Sequence, residues 1–282
     1  MCWDRFHYLC RKCNLPDFSA NDFSTFLSAV NAQKATDLYA DKITEKSVAH
    51  EILTALQQTD DLALVERSVS VYARLNFGRS IDEPAQLKRV ITYLVFLATV
   101  YMLVSSVYTV FVMPQFSNMY ESLEVQPPGL FMWYVNYSSY MIAAIVILLL
   151  GVLLVAYQIR AMFSYKMPAS DSILYNGLVP ETIRNSFLSI VEIIVYPVAV
   201  VFDGKWQKLG VISAHLQEVE NAGLSLVTEM QSLLVIEVNK LNRKIERFIF
   251  FLMSFVSVII VASIIVFLMS AYSPLFIMGE GL

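Results

Sequence analysis

The sequence predicts an all-α integral membrane protein with three transmembrane helices and two duplicated cytoplasmic helical-bundle modules. Three observations predict it. The chain is 57% hydrophobic and 16% charged, where soluble domains sit near about 45–50% and about 25%, and its mean hydropathy is positive. Three long runs carry no charge and exceed the roughly 20 residues that cross a bilayer. All 20 Lys and Arg residues fall in two segments, 1–89 and 160–247.

Residues 1–89 form the first module. Phe23, Phe26, Leu27 and Val30 recur at helical spacing in 22–30, and the pattern continues through 45–58 and 60–77 until Gly78 breaks it. Asp82 and Pro84 are a helix-start signal ahead of the first span. That span is 90–113, followed by an outer loop at 114–137. The second span has its core at 138–157, with Trp133, Tyr134, Tyr137 and Tyr140 as an aromatic belt at its entrance. Residues 158–247 form the second module, 248–271 the third span and 272–282 the tail. Ser225–Ala271 contains no Gly or Pro. If continuous, it makes a helix roughly 70 Å long, able to act as a lever between module and membrane. Phe187–Phe202 competes as a fourth span, but Glu192 and Pro197 lie inside it. A charge near mid-membrane is costly, so it reads as a buried helix of a bundle.

Orientation follows from the basic residues. Residues 1–89 hold eleven and 160–247 nine, whereas 114–137 and 272–282 hold none. The positive-inside rule therefore puts both modules and the N-terminus in the cytoplasm, and the loop and C-terminus outside. The charged N-terminus lacks an apolar core, which predicts no cleavable signal peptide.

The chain reads as a duplication. Leu62–Phe116 aligns with Leu224–Phe276: each begins on an apolar helical pattern, and they end "VFVMPQF" and "SAYSPLF". Pro114 and Pro274 are expected to stop their helices at the outer interface, because proline lacks an N–H and disfavours helix at the residue before it. Phe116 and Phe276 would then sit among headgroups.

Catalytic motifs are missing. No phosphate-binding Gly-x-x-x-x-Gly-Lys loop, Gly-x-Ser-x-Gly elbow or His-Glu-x-x-His occurs, so the chain is not expected to be an enzyme or to need a cofactor. Net charge is −4, which excludes a global basic field for nucleic acid. Cys2, His7, Cys10 and Cys13 could offer four metal ligands, but the paired second knuckle of a zinc site is missing. Reduced thiols at a loose terminus are the expected state. His215 reads as a polar helix-face residue. The spans hold Ser and Thr but no charge, which disfavours ion-coupled transport. A membrane-embedded transporter or channel subunit is nonetheless the alternative from another class.

At these residues the chain resembles the inner-membrane platform proteins of type IV pilus and type II secretion systems. "FVMPQFSNMYESL" (111–123), followed by Pro127 and Pro128, is similar to that family's stretch after its first span. "SAYSPLFIMGEGL" (270–282) is similar to its terminal Tyr-x-Pro-Ile/Leu-Phe. "QEVENAGLSLVTEM" (217–230) resembles its acidic helix turn, with Glu220 and Gly223 matching and Val219 in place of the leading Gly. In the first copy, Gln58 and Asp61 replace the Glu and Gly, and Leu94 stands where a Tyr-Pro pair is usual. The likeness covers about 55–282, as in a divergent, shortened member.

The resemblance implies a subunit of a bacterial inner-membrane assembly machine. A cytoplasmic hexameric ATPase would dock on the modules, and its strokes would lift pilins or pseudopilins from the bilayer into a filament. Other inner-membrane assembly proteins, membrane lipid and a second copy of the chain, as a dimer, are the further partners it implies. Pro114, Phe116, Glu220, Gly223, Pro274 and Phe276 are the interaction and structural residues expected from it.

Overall fold

Apolar residues at helical spacing become helices throughout. The computed structural model describes residues 2–14, 47–77, 85–122, 129–162, 179–201 and 210–280, with single positions at 25, 38, 43, 124, 126 and 127. Among the described residues there is no strand. The elements are α1 (Cys2–Cys13), α2 (Val48–Gln58), α3 (Leu62–Arg74), α4 (Ala85–Val107), a π-turn (Tyr108–Val112), α5 (Met113–Ser122) and α6 (Gly129–Met162). They continue with α7 (Glu181–Val195), a 3-10 turn (Tyr196–Val198), α8 (Val211–Asn221) and α9 (Leu226–Glu280). The pattern expected at 22–30 and the signals at Gly78, Asp82 and Pro84 lie outside the described residues.

Contacts divide the chain into two units. The first joins Met1–Pro84 with Gln158–Ile245; the second joins Ala85–Tyr157 with Glu246–Leu282. The segments assigned to two modules thus share one packed unit.

In the first unit, side chains start α2 and α3. Ser47 Oγ accepts from the His50 amide at 3.2 Å, and Asp61 Oδ1 accepts from Ala63 and Leu64 at 3.1 and 3.2 Å. Such caps answer amides that have no partner inside the helix. The N-terminus is not loose. Trp3, Phe6 and Leu9 of α1 are buried. Trp3 stacks on Phe77 with centroids 5.0 Å apart, and Phe6 meets Tyr72 edge-on at 5.3 Å. Four aromatic rings at such distances hold α1 beyond what area burial alone supplies.

Helix α7 is the core helix of this unit. Ile183, Phe187, Ile190, Val191 and Ile194 are all buried. Among the described residues three helices are long and apolar enough to cross a membrane, and α7 is not one of them. From Phe187 to Val195 the competing segment is helix, with all its apolar side chains but Leu188 buried within the first unit. Its end is broken by Pro197, and α3 repairs the break. Ser68 Oγ donates to the Pro197 carbonyl at 3.0 Å and Tyr72 OH to the Ile194 carbonyl at 2.8 Å. Ser68 and Tyr72 are four apart on one helix face, so a single face supplies both donors. Buried carbonyls left without donors are costly.

The second unit holds the three expected spans, within Arg89–Ser122, Phe131–Arg160 and Leu226–Ser270. Leu94, Ile145, Leu149, Val152 and Val256 form one buried layer. Tyr108, Met113 and Tyr134 form another, with Phe267 packed against it. Tyr101 OH and Ser263 Oγ are hydrogen-bonded at 3.3 Å. Most other apolar side chains of these helices are exposed, as a lipid solvent allows. The aromatic belt splits: Trp133, Tyr137 and Tyr140 are exposed, while Tyr134 is buried against Tyr108 at 5.6 Å.

The expected helix stop at Pro114 is not found. The chain stays helical through Ser122, and the short gap before α6 replaces a long outer loop. The π-turn is the reason. Its wider loop lets the Met113 N–H reach the Tyr108 carbonyl, one residue further back than in an α-helix. A proline then sits where the regular ladder is already relaxed, which lowers its usual clash with the carbonyl four residues back. The stop expected at Pro274 is not found either, since α9 runs on to Glu280. The side chains of Pro274 and Phe276 lie outside the described residues.

Candidate functional site

The acidic turn at the end of α8 ties three elements of the first unit together. Helix α8 ends at Asn221, and Gly223 adopts φ +70°. Its N–H donates to the Glu220 carbonyl at 3.0 Å, and the Leu224 N–H donates to the Val219 carbonyl at 3.1 Å. This reciprocal pair is the Schellman closure, which places its turn residue in a left-handed conformation where glycine meets no Cβ penalty. The closure holds Glu220 on the last turn of α8. One carboxylate oxygen of Glu220 pairs with the Arg67 guanidinium of α3. The other accepts from Tyr196 OH at 3.3 Å. Burial raises the Tyr196 phenol above its usual range, and nearby Arg67 partly offsets this. The phenol therefore stays a donor to the carboxylate at neutral pH.

A second carboxylate acts at the other end of α8. Glu192 of α7 reaches the start of α8, where its Oε1 accepts from the Ser213 amide at 3.0 Å and from Ser213 Oγ at 2.6 Å. The residue preceding α8 is Gly210, which offers no side-chain cap. Glu192 fills that role from another helix and sets its negative charge against the positive helix end. A Cβ on Gly210 would collide with this carboxylate. Nothing in the sequence pattern links positions 192 and 213; the Glu inside an apolar run is the only signal.

Helix α9 is seated by its first half. Met230, Leu234, Val238, Leu241 and Ile245 are buried at steps of four, four, three and four along one helix face. Gln231 accepts from the Asn76 amide at 2.9 Å, and Lys244 Nζ donates to Ser186 Oγ at 2.7 Å and to the Thr182 carbonyl at 3.1 Å. His215 Nε2 donates to Glu229 at 2.9 Å on the surface of this region, where a polar helix-face residue belongs.

The metal candidates share α1 but are otherwise engaged. His7 Nε2 donates to the Ala73 carbonyl at 3.0 Å. Cys10 and Cys13 are buried free thiols. Burial, and for Cys10 also its neighbour Cys13, pushes these thiols up, Cys13 to about 12. That favours the neutral thiol over the thiolate a metal needs. The Cys2 side chain lies outside the described residues, among which no group of three or more His, Cys, Asp or Glu is placed to hold a metal.

The remaining candidates belong to the second unit. Pro114 is exposed on α5, and Phe116 is half-buried, its ring 6.5 Å from Phe131. Glu220 and Gly223 belong to the first unit. Fold and site together define a helical, membrane-embedded class of protein with charged ties inside its polar unit. No protein-family model, no curated protein and no solved structure matches the chain significantly.

Proposed function

We propose that this chain is the inner-membrane platform subunit of a type IV pilus or type II secretion-like assembly machine. It couples a cytoplasmic hexameric ATPase to the extraction of pilins or pseudopilins, and it carries out no bond chemistry itself. The observation that carries the reading is α9, one uninterrupted helix from Leu226 to Glu280. Its first residues are packed into the polar unit, and its apolar remainder belongs to the membrane-type unit. At 1.5 Å per residue it is about 80 Å long. In this reading a load applied to the first unit is delivered to the membrane along the stretch up to Ala271, which no Gly or Pro interrupts. The residues around 111–123, 217–230 and 270–282 and the repeated plan of the sequence support the same assignment.

In this reading the basic segments face the cytoplasm, the 114–137 segment faces the periplasm, and the chain works as a dimer. The test is a deletion strain. Filaments or pseudopili are expected to disappear while prepilin processing continues, and the Arg67→Ala variant is expected to assemble fewer of them. Normal filaments in the deletion strain overturn the assignment.

A further inference from the structure

Helix α9 carries four basic residues just ahead of the charge-free run of the third span: Lys240, Arg243, Lys244 and Arg247, with Glu246 the single acid among them. The four differ in what they touch. Lys240 Nζ donates to Glu237 at 3.0 Å, and Lys244 Nζ is held by Ser186 and the Thr182 carbonyl. Arg243 and Arg247 are exposed and engage no hydrogen bond or ion pair among the described residues. They stand four apart, so they share one helix face about 6 Å apart along the axis. Two like charges at that spacing repel each other. Glu246 is exposed on the adjoining face and bonds to neither.

The same face continues into the span. Phe250, Ser254, Ser257 and Val261 follow Arg243 and Arg247 at alternating steps of three and four, and all are exposed, Phe250 by 76%. The small Ser254 and Ser257 make this face shallow between the Phe250 ring and Val261, so an extended hydrocarbon chain can lie along it. From Arg247 to Val261 the helix rises about 21 Å, longer than one leaflet's half of a hydrocarbon core about 30 Å thick. Guanidiniums at one end and a shallow lipid-facing run beyond them repeat the chemical order of one anionic phospholipid.

We propose that this face of α9 binds an anionic phospholipid, its phosphodiester held by Arg243 and Arg247 and one acyl chain laid over Ser254 and Ser257. A guanidinium matches phosphate oxygens in pairs, as an ammonium does not. A headgroup with its own ammonium offers its phosphodiester a competing cation and binds less well. The assignment goes beyond the filament-assembly reading: it needs the third span to lie in a bilayer, and neither an ATPase nor a filament.

The full chain is placed in nanodiscs of equal phosphatidylethanolamine and phosphatidylglycerol, with a trace of one or the other lipid carrying a photoreactive diazirine on its acyl chain. Crosslinks are mapped by peptide mass spectrometry. The phosphatidylglycerol probe is expected to label residues 248–261 about fivefold more than the ethanolamine probe, the pull of one basic residue on an anionic headgroup. Arg243→Gln/Arg247→Gln is expected to abolish the difference. Arg243→Lys/Arg247→Lys keeps both charges but loses the paired geometry, and is expected to keep about half of it. Equal labelling by the two probes in the unaltered chain overturns the proposal, as does a preference that survives the glutamine pair. A preference unchanged in the lysine pair shows a diffuse positive field in place of a guanidinium clamp and overturns it too.

Discussion

At the scale of single residues, the polar unit depends on side chains that answer another helix's backbone. Glu192 and Gly210 are one such device: the carboxylate occupies the space a Cβ would take. Gly210→Ala is expected to displace the Glu192 carboxylate from Ser213 and so to cost no more than the loss of that cap, about 0.5–2 kcal/mol, read as a lower midpoint in denaturant titration of the detergent-solubilised chain. Glu192→Ala removes the cap and costs about 0.5–2 kcal/mol. The two substitutions strike the same contact, so their combination should cost less than the sum. Arg67 and Glu220 are another case. Their side chains are 50% and 34% exposed, so their ion pair is screened and contributes at most about 1 kcal/mol. The buried thiols give a pH dependence. The folded Cys13 thiol sits at about 12 against an ordinary 9.0. A raised folded value means that its contribution is fully present below about pH 9 and is lost as pH climbs toward 12. Thermal melting should therefore hold level from neutral pH to about 9 and fall beyond it, and Cys13→Ala should flatten that fall.

At the scale of elements, the sequence was most legible where periodicity and length agree. The three spans were readable from charge-free runs, and α7 from a Glu and a Pro inside an apolar stretch too short to cross. Helix ends were less legible. Pro114 and Pro274 predict stops, yet helix continues past both. Proline removes one hydrogen bond, and a π-turn or an apolar surrounding can absorb that locally, so the residue alone does not decide a terminus. The break at Pro197 shows the opposite outcome, repaired by donors from α3. No local pattern could have shown that Ser68 and Tyr72 bond to carbonyls more than 120 residues away. Ser68→Ala and Tyr72→Phe each leave one buried carbonyl unanswered and are expected to cost about 1–3 kcal/mol, measured by the same denaturant midpoint. Ser70→Ala, on the neighbouring half-exposed face of α3, serves as the control and should be close to neutral.

At the scale of the whole molecule, composition announced a membrane protein, and the structure contains three helices suited to span one. The candidate site was legible in part. Glu220 and Gly223 were found through the acidic turn, and Gly223 does take the left-handed conformation that only a turn demands. Arg67 and Tyr196, which complete the tie, were not found, because they are brought in from distant segments. Orientation is open to direct test in a background with Cys2, Cys10 and Cys13 replaced by Ala. A membrane-impermeant maleimide is expected to label Glu121→Cys on intact cells, and Lys240→Cys only after permeabilisation. The reverse pattern removes the basis for an ATPase contact on the polar unit.

The discontinuity of the first unit has a consequence for biogenesis. Its opening portion ends at Pro84, and its closing portion is complete only at Ile245. At about 5–20 residues per second, the ribosome needs on the order of ten to thirty seconds to go from Pro84 to Ile245. Until then Tyr72 and the aromatic cluster around it wait in the nascent chain without α7, while membrane insertion of the intervening hairpin is already under way. Synonymous changes that slow elongation between residues 85 and 180 lengthen this interval and are therefore expected to raise degradation of newly made chains.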